Sequence, residues 1–149
     1  MTRFNSRTRM LQTTGAAVFA AAALVGLLPT AAQADRGDRT VLASVQNNSS
    51  VRLTQVTTSL PEGKWTKEPP SSIKENAKTR FGSMSTEDEG GTEATVTYRT
   101  KYGDVEFYWD HPWAADDDIT CDAPDELNCD VYTSGSATVK ASFTISNAF

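Results

Sequence analysis

The 149-residue chain predicts an all-β fold, a single antiparallel β-sandwich over residues 35–149, and three observations carry that prediction. Ala137, Val139, Ala141, Phe143 and Ile145 alternate strictly with Thr138, Lys140, Ser142 and Thr144, the period of a strand with one buried face. Val105, Phe107 and Trp109 alternate in the same way with Glu106, Tyr108 and Asp110. Between such runs stand turn clusters rich in Gly, Asn, Ser and Pro, and no stretch shows the period of an amphipathic helix.

The first 34 residues read differently. Arg3, Arg7 and Arg9 precede an apolar run from Gly15 to Leu28, and Ala32-Gln33-Ala34 follows Pro29. A basic start, an apolar middle and a small-residue site make a secretory signal peptide. We expect cleavage after Ala34 and a secreted, extracellular product beginning at Asp35. The remaining 115 residues suffice for one domain. Three of the 14 basic residues and none of the 19 acids fall in the leader, so the remainder carries a formal charge of −8. Such a molecule is repelled by nucleic acid and by anionic membrane surfaces, and no nucleic-acid partner is expected.

Val41, Ala43 and Val45 form the first alternating run, and Val51 and Leu53 resume it beyond Asn47-Asn48-Ser49-Ser50, with Val56 slipping the phase. Two strands about a polar turn predict a hairpin. From Ser59 to Lys78, Pro61, Gly63, Pro69 and Pro70 exclude a long helix or a central strand. Trp65 stands there among lysines, either capping the core edge or pointing outward. Ser71 to Lys78 is expected to form a turn or two of helix, and Phe81 to Ser85 a short strand. Glu87 to Gly91 reads as a solvated acidic turn.

Thr92 to Thr100 alternates, Lys101-Tyr102-Gly103-Asp104 turns the chain, and Val105 begins the second strand of a predicted hairpin. That strand should end near Asp110, because Pro112 has no N–H for a ladder, leaving Trp113 on the outgoing loop. Asp116 to Asp130 holds seven acids in fifteen residues and reads as a loop, without the spacing of a calcium-binding loop. Cys121 and Cys129 are the only cysteines; in a secreted chain they predict a disulfide, stabilising by roughly 2–3 kcal/mol and closing a loop that stands apart from the core. One histidine and two cysteines are too few for a closed zinc site, so no metal or other cofactor is expected.

No nucleophile elbow, zinc-protease motif or phosphate-cradling glycine loop occurs. Catalysis lacks its parts, and binding is the expected function, with no catalytic residue assigned. The stretch from Phe107 to Trp113, Phe-Tyr-Trp-Asp-His-Pro-Trp, resembles the signature segment of the aegerolysins, small β-sandwich proteins that bind membrane lipids. Asn47-Asn48-Ser49, Gly63-Lys64-Trp65, Phe81-Gly82-Ser83, Gly91-Thr92-Glu93 and Ala137-Thr138-Val139 corroborate the resemblance by order and spacing. It implies a lipid site lined by Trp65, Trp109, Trp113 and an acid near Gly91, Glu89 or Glu93; Tyr108 and Asp110, on the signature stretch, complete the candidate set.

The resemblance further implies the membrane-recognising half of a two-component toxin whose pore-forming protein partner is a separate chain. Indole and phenol rings suit a membrane interface. A choline- or ethanolamine-type headgroup offers a cation that aromatic faces and a carboxylate attract, at about 0.5–2 kcal/mol per ring. The competing class is a secreted protein-interaction module, an inhibitor or a surface- or spore-associated factor, using the same rim without lipid activity.

Overall fold

A computed structural model of the chain describes residues 38–86 and 90–149. The expected leader, most of the acidic turn and the candidate Glu89 lie outside the described residues. Ten strands form two five-stranded sheets. In chain order they are β1 (Thr40–Asn47), β2 (Leu53–Glu62), β3 (Lys64–Lys67), β4 (Ser72–Ile73), β5 (Ala77–Met84), β6 (Gly91–Arg99), β7 (Asp104–Pro112), β8 (Asp118–Asp122), β9 (Leu127–Ser134) and β10 (Thr138–Asn147). One sheet, A, runs β3-β5-β1-β10-β9; the other, B, runs β4-β2-β6-β7-β8. Sheet B is antiparallel throughout, whereas β1 and β10 pair in parallel at the centre of sheet A. The all-β sandwich is what the alternating pattern predicts.

Burial follows that alternation closely. Val41, Ala43 and Val45 of β1 meet Val105, Phe107 and Trp109 of β7 in the core between the sheets. Phe107 touches Phe143 with ring centroids 4.9 Å apart and Tyr98 at 5.9 Å. Tyr98 is fully buried, and its hydroxyl donates to the Pro70 carbonyl at 2.9 Å. That bond ties the proline-rich loop to the core and satisfies the one polar atom the ring carries inward; burial holds the phenol protonated.

The predicted hairpin of β1 and β2 does not form. The two strands lie in different sheets, and Asn47 to Arg52 carries the chain across the corner. Asn47 is fully buried there, its Nδ2 donating to the carbonyls of Val51 at 2.8 Å and Lys74 at 3.0 Å. Its Oδ1 accepts from the Ser49 N–H and hydroxyl, at 3.1 and 2.6 Å. A polar cluster that looks like a solvent turn is instead the hydrogen-bonding core of a corner, because a buried backbone must find partners somewhere. Val56, where the phase slips, sits at a β-bulge and is exposed.

The expected helical turns over Ser71 to Lys78 are replaced by β4 and the start of β5. Asn76 takes the left-handed conformation at φ 56°, which a helix excludes and asparagine tolerates. Pro61 lies within β2, where a second register shift between Ser59 and Glu62 removes the need for its N–H. β5 is longer than expected, eight residues from Ala77. β7 likewise continues through Pro112, its last residue, paired with Gly91.

The acidic stretch from Asp116 to Asp130 is not one loop: Asp118–Asp122 and the residues from Leu127 onward form two edge strands, β8 of sheet B and β9 of sheet A, joined by a short connection. Cys121 and Cys129 are joined as predicted, with Cα atoms 5.8 Å apart. The bridge therefore clips one sheet to the other along their open edge. The connection it closes is no detached loop: Leu127 is buried in the core, and the Ala148 N–H donates to the Glu126 carbonyl at 3.0 Å. Alternation there was masked because acids fill the outward positions while Ile119, Cys121, Leu127 and Cys129 turn inward.

Candidate functional site

The end of the sandwich at which β6 begins and β7 finishes gathers most of the candidate residues. Two of the three indoles are placed by burial. Trp109 is 0% exposed, and its Nε1–H donates to Ser83 Oγ at 2.9 Å. Ser83, also fully buried, lies 2.7 Å from Thr92 Oγ1, and the Thr92 hydroxyl in turn reaches the Glu62 carbonyl at 3.2 Å. This chain of hydroxyls links β5, β6 and the end of β2. Trp65 is half-buried and meets Trp109 edge to face, with centroids 6.0 Å apart. Trp65 therefore caps the core edge, the first of the two readings its setting allows. Trp109 is corrected from a surface contact to the indole beneath Trp65: a fully buried ring cannot touch a ligand on the surface.

Gly63 delivers Trp65 to that position. It bridges β2 of sheet B and β3 of sheet A at φ 95°, and a Cβ there would stand 2.5 Å from the Met84 carbonyl oxygen and 2.6 Å from Thr92 Oγ1. Only glycine fits both the conformation and the space.

Glu93, Tyr108 and Asp110 come together on the outer face of sheet B. Register brings Glu93 opposite Asp110, Asp110 opposite Asp118, and Glu62 opposite Glu93. Directly paired residues of an antiparallel ladder share a face, so Glu62, Glu93, Asp110 and Asp118 form one row across four strands. Like charges in such positions repel. The Asp110 carboxyl is held above its ordinary range by partial burial first, then by Glu93, Asp118 and Asp117. Beside the row, the Tyr108 hydroxyl donates to Glu93 Oε1 at 3.3 Å, and burial together with Glu93 and Asp110 pushes the phenol up to about 12. At neutral pH the phenol is thus a hydrogen-bond donor among carboxylates. Among the described residues, no lysine or arginine forms an ion pair with these acids. Sequence reasoning missed Glu62 and Asp118, since only strand register places them in the row.

Trp113 follows at the rim and is 39% exposed, as its place after Pro112 predicts. Its carbonyl accepts from the Arg39 guanidinium at 2.7 Å. Arg39 is itself fixed to Ser85 by two bonds, one from its N–H to Oγ at 2.9 Å and one to its carbonyl from the Ser85 N–H at 2.8 Å. His111 is buried between Asp117 and the Ala137 carbonyl, with Nδ1 2.5 Å from Asp117 Oδ1 and Nε2 3.2 Å from the carbonyl oxygen. The segment between β7 and β8 is therefore pinned at both ends, which positions Trp113 before any ligand arrives. Neither Arg39 nor the histidine–aspartate pair was legible as part of this site.

No family model matches the chain. An uncharacterised protein of Dictyostelium discoideum is 30% identical over 118 residues, covering 76% of this chain, and the match spans only 11% of that much longer protein. The crystal structure of the lipid-binding protein Nakanori superposes with a TM-score of 0.62 at 14% identity, covering 73% of this chain and 71% of that one. The chain thus shares its sandwich fold with Nakanori.

Proposed function

We propose that this chain is a secreted, aegerolysin-like lipid-binding protein that takes cationic, choline- or ethanolamine-type headgroups at the sheet B rim. The observation that carries the reading is the unpaired row of carboxylates, Glu93 and Asp110 at its centre, lying beside the Tyr108 donor and near the exposed Trp113. A carboxylate row that repels itself is stabilised by any cation placed over it. Trp113 supplies a ring suited to the membrane interface, and Trp65 extends the aromatic surface from the core edge. Nakanori, whose sandwich fold the chain shares, is a lipid-binding protein, which supports this direction. A pore-forming partner protein would act after this recognition step, which makes the chain the membrane-recognising half of a toxin.

The test is vesicle sedimentation with phosphatidylcholine, phosphatidylethanolamine and phosphatidylglycerol. The chain lacking residues 1–34 should pellet with the first two and stay in solution with the third, and Trp113→Ala or Glu93→Gln should lower binding at least tenfold. Equal binding to all three lipids, or full binding by both variants, would defeat the reading. Intact mass of the exported protein should begin at Asp35; retention of Met1–Ala34 would refute export with cleavage.

A further inference from the structure

The opposite face of the sandwich carries a second feature that the rim does not use. On the outer side of sheet A a groove of about 430 Å³ is floored by Leu42 and ringed by Lys67, Lys78, Arg80 and Lys140. An adjoining concavity of about 370 Å³ shares Lys67, Lys78 and Arg80. Gly82 helps to open it. It stands in register between Lys67 of β3 and Leu42 of β1, where a Cβ would come within 2.2 Å of the Val41 carbonyl oxygen. The position therefore keeps no side chain, and a dip remains between neighbours that do have one.

Two properties of this groove bear on its ligand, the first of them in contrast with the chain's formal charge of −5. Among the described residues none of its four cations forms an ion pair, although acids outnumber bases in the sequence. Leu42, at the floor, is 43% exposed and sets an apolar side chain inside the ring of cations. Four uncompensated cations around an apolar floor are complementary to one chemistry, an anionic head joined to an apolar chain. The volume falls in the range of small-molecule sites. A membrane or a polyanion is a poorer match: it would meet the net negative charge of the whole molecule, whereas a single small anion feels charges within a Debye length of about 8 Å.

We propose that the sheet A groove is a binding site for a single-chain anionic amphiphile, a phosphate- or carboxylate-headed alkyl chain taken up as a monomer, independent of the headgroup site at the sheet B rim.

Calorimetric titration of the chain lacking residues 1–34 with monododecyl phosphate, below its micellar concentration and at physiological salt, tests this. Inorganic phosphate tests the head alone, and dodecyl maltoside the chain alone. Saturable one-to-one binding of monododecyl phosphate is expected, at least tenfold tighter than either comparator. It should weaken tenfold or more in Lys78→Glu/Arg80→Glu, and stay unchanged in Trp113→Ala, which separates it from the rim. These exposed residues are replaced without touching the core, and circular dichroism checks the fold of each variant. Absence of saturable binding, equal affinity for inorganic phosphate, or unchanged affinity in the double variant would overturn the proposal. So would sedimentation showing self-association that the double variant abolishes, since a second copy would then occupy the groove.

Discussion

Ser83→Ala is a small change with a calculable consequence. Ser83 is fully buried, and its Oγ is the acceptor for the Trp109 indole N–H at 2.9 Å. Alanine keeps the backbone and Cβ but removes that acceptor. The neighbouring Thr92 hydroxyl keeps the Glu62 carbonyl as its own acceptor, so the loss falls on the indole. A buried donor left without a partner costs about 1–3 kcal/mol, and the space vacated by one oxygen is too small to admit water.

Taking 2 kcal/mol, with a urea slope near 2 kcal/mol per molar, the midpoint should fall by roughly 1 M. The melting temperature should fall by roughly 6–12 °C for a domain of this size. Urea unfolding followed by tryptophan fluorescence measures the first, and the emission also reports Trp65, which rests edge-on against Trp109. A cycle with Trp109→Phe isolates the bond: once the indole N–H is gone, Ser83→Ala should cost much less. A cost under about 0.5 kcal/mol in the parent protein, or the same cost in both backgrounds, would refute the hydroxyl chain as the support of this rim.

Three further outcomes follow from the same geometry. Trp109→Ala should cost about 3–5 kcal/mol in denaturant unfolding, the penalty for emptying a buried aromatic site, whereas Trp113→Ala should cost no more than about 0.5 kcal/mol. Asp110 is raised above its ordinary value, so the folded state binds its proton more tightly than the unfolded state does, and this favourable contribution is lost as pH rises through the raised value. Asp110→Asn should therefore stabilise near neutral pH by a few tenths to about 1 kcal/mol, allowing for solvent screening, with the gain gone below about pH 4; a melting series against pH checks the sign. Replacing Cys121 and Cys129 with alanine should cost roughly 2–3 kcal/mol. Thiol titration of the native protein should find neither cysteine free.

Much of the architecture is local, and so it is readable in the sequence. Strand faces at Val105 to Asp110 and at Val139 to Ile145 follow from a period of two, because successive side chains of an extended chain must point to opposite sides; Ala137, expected on the buried face, is exposed just before β10 begins. The turn at Lys101 to Asp104 and the exposure of Trp113 after Pro112 are equally local. The disulfide was legible from the count and setting of two cysteines, but not that it joins two sheets.

What the sequence could not decide is partnership. Alternation says that β1 has a buried face; it does not say that β10, almost a hundred residues away, lies parallel beside it while β2 crosses to the other sheet. Asn47 and Ser49 look like solvent-seeking turn residues until the corner buries them and uses their side chains to satisfy its backbone. Trp65 could face either way until Trp109 was behind it. The acidic row is the clearest instance. Glu62, Glu93, Asp110 and Asp118 are scattered across 57 residues of sequence, and only the register of four strands makes them neighbours. Local sterics set which way a side chain points, whereas long-range pairing sets what it meets, and a binding site is made of what meets.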